Sequence, residues 1–214
     1  MGNMNWKKSI KKSLCVIGML GIMFSFLTSK TSAAVLSYWY SDSTKIGKWT
    51  YSPQVFYHYL DFSNSLPMPS GFSNAAQQWN AALGLSITTS NTNTSAPIRF
   101  FGGTKEHIDN SGIFSDPVPT NYFGNTYMTN ISFNQTHYYN NSPRDEFVHY
   151  LIKGYIVEKP GRTTAGYYHT MAHELGHALG WRGHISGSTY VMASENESYA
   201  VQYNEKIHLA QVYQ

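Results

Sequence analysis

The chain has 214 residues, with 15 lysine and arginine residues, 12 aspartate and glutamate residues, and one cysteine, Cys15. A single cysteine excludes an internal disulfide framework, and the near balance of charges does not favour a nucleic-acid-binding surface. Once an N-terminal leader is set aside, about 180 residues remain, which suit one domain with a sizeable core.

The first 33 residues have the three parts of a secretory signal peptide. Four lysines between positions 7 and 12 form a basic region, residues 14–27 are apolar, and residues 31–34 carry the small side chains of a cleavage region. A membrane anchor is the alternative, but the apolar stretch is short for a span and is interrupted by Gly18, Gly21 and Ser25. We therefore expect a secreted, extracellular protein with no membrane association after cleavage.

Cleavage after this leader changes the charge and removes the thiol. Five lysines leave with it, so 10 basic and 12 acidic residues remain and the formal net charge becomes −2. Residues 34–214 contain no cysteine, which excludes disulfides and a cysteine nucleophile from them. Their stability outside the cell must then come from core packing, to which bound ions would add.

The first half of the remaining chain predicts strands around one helix. Alternating apolar and polar residues over 37–60 predict one or two strands. Apolar residues at helical spacing over 72–83 predict a helix, with Ser70 or Ser73 as N-cap, Gly84 just past its end and Trp79 in the core. Strands are expected at 85–88 and 97–101, and residues 107–109 are expected to lie in a solvated loop.

The second half predicts further strands and two helices. Residues 112–118 and 128–134 are strand candidates, residues 140–143 indicate a loop, and residues 147–157 are apolar enough for a short helix or a hairpin. A long helix is expected soon after position 162, with Thr163 or Thr164 as N-cap. A last helix is expected near the C-terminus, with Asn204 as its candidate N-cap.

The segment HELGH at positions 173–177 indicates a zinc site on the long helix. Histidines four residues apart lie on one helical face, so the imidazoles of His173 and His177 can reach one metal ion. Glu174 is then placed as the general base that takes a proton from a metal-activated water. His169 cannot share that ion with both histidines, because it lies about 12 Å from His177 along the helix axis.

A catalytic zinc ion needs a third protein ligand and keeps one position open for water. His184 fits if the helix ends soon after His177, which Gly180 allows by adopting a positive φ, and Gly183 adds a second flexible joint. Glu197 and, less well, Glu195 lie about twenty residues beyond the histidine pair and are the alternative third ligands in a thermolysin-like arrangement. We favour His184, because Gly180 would have no role in the alternative.

The segment HELGHALG, a histidine shortly after it and Met192 in a turn resemble the metzincin zinc peptidases, most closely their matrixin branch. The resemblance implies an α+β fold. In that fold a twisted, mostly parallel sheet carries a packing helix and the zinc helix, a small C-terminal subdomain follows Gly180, and the cleft lies between the two parts. It also implies that Met192 forms a hydrophobic floor beneath the metal, and that residues 113–116 are the sheet edge to which an extended substrate adds.

Three positions depart from the matrixin pattern. The third histidine comes four residues after Gly180 instead of three, with Gly183 at the usual ligand position, and a one-residue bulge would absorb the shift. Ile185 replaces the usual polar residue after the third ligand, and Ser194 stands where proline is expected. These changes concern the subfamily and the pocket beside the scissile bond, and they leave the expected metal ligands unchanged.

Together with the leader, these features predict a secreted zinc-dependent endopeptidase over residues 34–214, acting as a monomer on protein or peptide substrates. It would use one zinc ion on His173, His177 and His184, with Glu174 as the catalytic residue. A calcium site is compatible with a secreted peptidase, but no dense acidic cluster indicates one. The alternative from another class is a secreted binding or surface-interaction protein on a peptidase scaffold, for which Glu174 would have no use.

Overall fold

The computed structural model describes residues 45–49, 51–61, 65–139, 142–181, 183–194 and 200–213. Within these ranges the elements are β1 (Lys45–Lys48), β2 (Gln54–Tyr59), α1 (Met68–Leu83), β3 (Thr88–Ser90), β4 (Ile98–Gly103), α2 (Lys105–Asn110), β5 (Gly124–Tyr139), β6 (Ser142–Val157), α3 (Thr164–Ala178) and α4 (Tyr203–Tyr213). The predicted signal peptide, residues 1–33, and the alternative ligands Glu195 and Glu197 lie outside the described residues. None of the described helices is long and apolar enough to cross a membrane.

Five strands lie parallel in one sheet in the order β1-β6-β4-β2-β3, and β5 pairs antiparallel with β6. The end of β6 lies beside β4, with Ile152 opposite Ile98, and the beginning of β6 lies beside β1. On its other side β6 pairs with β5, starting from Gly124 opposite Ile156. The mixed fold with a mostly parallel sheet, expected of an α+β chain, is confirmed.

Alternation along β6 divides its apolar side chains between the two faces of the sheet. Ile152 and Ile156 are fully buried in the larger core, to which α1 and α3 contribute. Tyr155 and Val157 belong to a smaller cluster with Ile108 of α2. The larger core therefore joins the sheet to the helix that carries the HELGH segment.

Helix α1 lies over the sheet with its apolar face buried. Trp79 is fully buried, as its spacing predicts, and Gly84 ends the helix with a φ of 68°. The helix begins at Met68, so the predicted caps Ser70 and Ser73 are wrong. A proline precedes the helix and another is its second residue; proline fixes φ near the helical value and lacks an N–H, so the first turn accepts it.

The strand expected at 112–118, and with it the sheet edge expected at 113–116, is wrong. The preceding segment, where a loop was expected, forms helix α2, and the Thr104 hydroxyl accepts the N–H of His107 as its N-cap. Asp109 of that helix accepts a hydrogen bond from the Val118 N–H (2.7 Å), and the Val118 side chain is buried. The Asp109 carboxylate thus accepts the backbone N–H that would otherwise bond to a neighbouring strand.

Strands β5 and β6 have 16 residues each and form one long hairpin. The strand predicted at 128–134 lies inside β5. Residues 147–157, expected to be a short helix or a hairpin, form neither by themselves, because they lie wholly within β6. Residues 142 and 143 belong to β6 and not to a loop, and β3 covers 88–90 where 85–88 was expected. The ladder has three register shifts between Met128 and Thr136, which interrupt the alternation by which a strand is recognised in sequence.

The segment after Gly180 packs into the larger core. Val191, Met192 and Leu209 are buried in the same cluster as the residues of α1 and α3, so a separate C-terminal core was not found among the described residues. Helix α4 begins at Tyr203, which places Asn204 inside its first turn instead of at the predicted cap.

Candidate metal centre

Helix α3 carries the HELGH segment and is fixed at both ends by side chains. At its start the Thr163 hydroxyl accepts a backbone N–H of the first turn (3.0 Å), which confirms one of the two predicted caps. At its end the indole N–H of Trp49 donates to Ala178 O (2.8 Å), and the hydroxyl of Tyr213 donates to Leu179 O (2.6 Å). Because the last carbonyls of a helix have no partner within it, these two donors hold the end that lies beside the site.

The helix ends as the glycine at position 180 predicts. Gly180 has a φ of 114°, and its N–H donates to His177 O (3.0 Å). The N–H of Trp181 donates to Gly176 O (3.0 Å), and the two bonds together form a Schellman motif. The chain therefore turns back directly after α3, and the carbonyl of Trp181 comes to lie beside the imidazole of His177.

The imidazoles of His173 and His177 are each oriented by a backbone carbonyl. Nδ1 of His173 is 2.8 Å from Val191 O, and Nδ1 of His177 is 2.9 Å from Trp181 O. A carbonyl can only accept, so each Nδ1 carries the proton and each Nε2 keeps a free lone pair in the neutral ring. The two Nε2 atoms lie 3.0 Å apart, as two ligands of one ion require.

His184 brings a third nitrogen to the same place. Its Nε2 lies 3.1 Å from Nε2 of His173, and the preceding Gly183 has a φ of 65°, which supplies the second joint. Nitrogens bound tetrahedrally at about 2.0–2.1 Å from zinc lie about 3.3 Å from one another, so the observed spacings fit such an ion. Among the described residues, these three histidines are the one group with the spacing of metal ligands, and they could hold a metal ion.

All three imidazoles are biased toward the neutral form that binds metals. Burial lowers the pKa of His173 well below its ordinary value, and the neighbouring His177 adds to the effect. Burial lowers the pKa of His177 to about 4, against the opposing effect of its bond to Trp181 O. Burial also lowers the pKa of His184, the most exposed of the three. At neutral pH the site therefore offers three uncharged donors.

His169 is buried beside the cluster and stands outside the ligand group. Its ring centroid lies 5.5 Å from that of His173, and its nitrogens are not among the converging atoms. The prediction that His169 cannot share the ion is confirmed.

Glu174 lies on the same helix as His173 and His177. The residue is 5% exposed and lines the cleft. Its Oε2 accepts a hydrogen bond from the Thr126 hydroxyl of β5 (2.7 Å). Burial raises the pKa of Glu174 to about 8, although the bond from Thr126 acts in the opposite direction. A cation held by the neighbouring histidines would lower this pKa, because a positive charge stabilises the carboxylate.

A cleft of about 730 Å³ exposes the three histidines and Glu174 to one space. Its walls are residues 121–125, where the chain enters β5, and Arg162, His169, Thr170, His173, Glu174, His177, His184 and Ser194. The sheet edge at this cleft is therefore the beginning of β5, in place of the expected residues 113–116. Thr126 and Gly124 of that edge lie against Glu174, and the sequence did not indicate either contact.

Met192 packs directly beneath the HELGH turn. It is fully buried, and a Cβ added to Gly176 would lie 2.4 Å from its sulfur and 2.8 Å from Trp79. Glycine is unfavourable inside a helix by about 1 kcal/mol relative to alanine, and the close approach of these side chains explains why Gly176 occupies this position. The placement agrees with a hydrophobic floor, and the role itself stays a prediction.

Glu205 holds the turn that orients His173, and no sequence pattern predicted this contact. Its buried carboxylate accepts the N–H of Met192 (2.7 Å) and, through the other oxygen, the N–H of Gln202 (2.8 Å). The Val191 carbonyl beside this peptide is the acceptor for His173 Nδ1. Burial raises the pKa of Glu205, and the backbone hydrogen bonds oppose that rise. Helix α4 is thereby linked to the orientation of the His173 imidazole.

Replacing Glu205 with glutamine is expected to weaken metal binding about 10–100-fold, as loss of a partner behind a ligand typically does. The glutamine NH₂ group would then face the N–H of either Met192 or Gln202, and two donors cannot bond to each other. The turn at 191–192 would therefore shift and no longer orient His173. Competition with a chromophoric chelator measures the change. Glu106→Gln, at an exposed position of α2, is the matched control and should bind as the unchanged chain does. Equal affinity in both variants would contradict the link.

No known protein family matches this chain, and no curated protein matches it either. A function must therefore be argued from the site itself. Three neutral imidazoles that could hold one cation, with a buried carboxylate beside them on an open cleft, can bind an ion and accept a proton from a reactant next to it.

Proposed function

We propose that the chain is a secreted zinc-dependent endopeptidase of the metzincin type, most like the matrixins. The observation that supports it is the convergence of His173, His177 and His184 in one cleft with the carboxyl group of Glu174. Three nitrogen ligands and an open cleft are typical of catalytic zinc sites, whereas structural zinc sites are closed by four protein ligands. Export follows from the leader at residues 1–33.

The residues have distinct roles in the proposed reaction. His173 and His177, held by Val191 O and Trp181 O, bind the ion together with His184. A zinc ion held by these three histidines would supply Lewis-acid activation of a water and of the scissile carbonyl. Glu174 takes a proton from the attacking water and delivers it to the leaving amine.

The cleft suits an extended peptide. The first residues of β5 lie along its wall, and in the described sheet β5 pairs with β6 alone. A substrate segment can add to the open side of this strand, where main-chain hydrogen bonds supply affinity that does not depend on side chains. Tyr122 and Phe123, which are 42% and 44% exposed at this wall, offer apolar surface to a substrate side chain.

The first test is cleavage of an unfolded protein such as reduced casein by the chain from residue 34 onward, with and without a zinc chelator. We expect cleavage that stops when the metal is removed and returns when one equivalent of zinc is added back. Addition of calcium or magnesium in place of zinc is the control, because hard cations that prefer oxygen ligands should not restore cleavage at three imidazoles.

Two results would overturn the proposal. One is cleavage that continues after the metal has been removed, because the proposed reaction depends on the bound ion. The other is the absence of cleavage by the zinc-loaded chain over a broad set of unfolded proteins. The second result would favour the binding-protein hypothesis.

A further inference from the structure

We infer that Thr126 is the positioning residue for Glu174: its hydroxyl holds one carboxyl oxygen of the base so that the other is presented to the reactant. The inference rests on the proposed function, because it assigns a task within that reaction. The supporting observations are the contacts between the start of β5 and the middle of α3.

The hydroxyl and the carboxyl group are in direct contact. Thr126 Oγ1 lies 2.7 Å from Glu174 Oε2, and the two residues are 48 positions apart in the chain. Within the described part of the chain this is the one hydrogen bond that the carboxyl group makes. Glu174 is 5% exposed, so water cannot readily replace the missing donor if the hydroxyl is removed. Oε1 is then the oxygen left for a reactant.

The neighbouring glycine limits the movement of the same carboxyl group. Gly124 lies two residues before Thr126, so both positions face α3. A Cβ at Gly124 would lie 2.9 Å from Glu174 Oε1, 2.9 Å from its Cγ and 2.7 Å from Thr170 Cγ2. The strand therefore approaches the helix as closely as a glycine permits, and the Glu174 side chain is confined between Gly124 and the Thr126 hydroxyl.

A hydroxyl suits a group that gains and loses a proton during each turnover. While Glu174 is a carboxylate, Thr126 donates to Oε2. After Oε1 has taken a proton, Oε2 is the carbonyl oxygen of the carboxylic acid and can still accept the hydrogen bond from the Thr126 hydroxyl. The contact can thus persist in both forms, so the side chain does not need to reorient between the two proton transfers.

Two substitutions separate the hydroxyl from the packing of the side chain. Thr126→Val keeps the branched shape and removes the hydroxyl, and Thr126→Ser keeps the hydroxyl and removes the methyl group. We expect Thr126→Val to lower kcat on a quenched-fluorescence peptide about 10–100-fold, with KM within about threefold and one zinc bound per chain. Thr126→Ser is expected to keep kcat within about threefold of the unchanged chain.

A double substitution tests whether Thr126 acts through Glu174. In a chain that already carries Glu174→Gln, adding Thr126→Val should not lower the residual cleavage further. The glutamine cannot act as a base, so the hydroxyl no longer has a base to position. A purely structural role for Thr126 would instead lower the residual cleavage by about the same factor in both backgrounds.

A spectroscopic measurement tests the contact without any reference to activity. With ¹³C-labelled glutamate carboxyl groups in the zinc-loaded protein, the Glu174 signal is the one that Glu174→Gln removes. We expect this signal to move in Thr126→Val and to keep its position in Thr126→Ser. If the unchanged chain cleaves nothing, the proposed function has failed, and the contact is then judged by this signal alone.

The inference is overturned if Thr126→Val keeps full kcat with an unchanged carboxyl signal. It is also overturned if Thr126→Val and Thr126→Ser lose kcat equally, because the methyl group would then be the part that matters. Should Thr126→Val bind less zinc or melt at a much lower temperature, Thr126→Ala serves in its place, and its comparison with Thr126→Ser isolates the hydroxyl, because those two variants differ only in that group.

Discussion

Replacing Glu174 with glutamine is expected to lower kcat for peptide cleavage by about 10²–10⁴-fold while zinc stays bound. Glutamine has the same shape as glutamate and can still accept the bond from Thr126, but an amide cannot take a proton from water. The ligands His173, His177 and His184 are untouched by the change. The measurement is kcat on one fluorogenic peptide, with the zinc content of the same samples determined by atomic absorption.

Glu106→Gln is the control for the loss of one negative charge. Glu106 is exposed on α2 and does not line the cleft, so its substitution should leave kcat unchanged. Full activity of the Glu174→Gln chain would remove the general base from the mechanism. A chain that captures a protein ligand equally well with and without Glu174, and cleaves nothing, would be the binding protein of the alternative hypothesis.

The metal cluster was predictable because its information is local. Four-residue spacing on a helix brings His173 and His177 together whatever the rest of the fold does. The glycine at 180 needs only its own positive φ to end the helix, and His184 is then within reach. His184 comes one residue later than in the matrixin pattern, yet its imidazole still reaches the other two histidines. Gly183 also adopts a positive φ, which accommodates the extra residue.

The edge of the sheet was not predictable, because it depends on pairing between distant segments. Ile113, Phe114 and Val118 favour a strand at 112–118, yet the Val118 N–H bonds to the side chain of Asp109 and no strand forms there. The edge that borders the cleft starts instead at Gly124, a residue with little preference for strands. Its position is decided by pairing with Ile156 of β6 and by the close approach to Glu174.

The residues that position the site escaped prediction for the same reason. Thr126 is 48 residues from Glu174, and Glu205 is 13 residues from the turn that it holds. A threonine in a strand and a glutamate in the first turn of a helix are ordinary choices, so neither has a local signal.

Replacing His184 with alanine is expected to weaken zinc binding about 10²–10³-fold. Zinc held by four protein ligands is bound with about 10–16 kcal/mol, so one ligand contributes roughly 2.5–4 kcal/mol. Nε2 of His184 lies 3.1 Å from Nε2 of His173, which is the spacing of two ligands of one ion. Competition with a chromophoric chelator gives the affinity. Glu197→Ala is the decisive comparison, and it should bind zinc as the unchanged chain does. The reverse result, a loss in Glu197→Ala with no loss in His184→Ala, would replace the metzincin arrangement with a thermolysin-like one, in which a carboxylate is the third ligand.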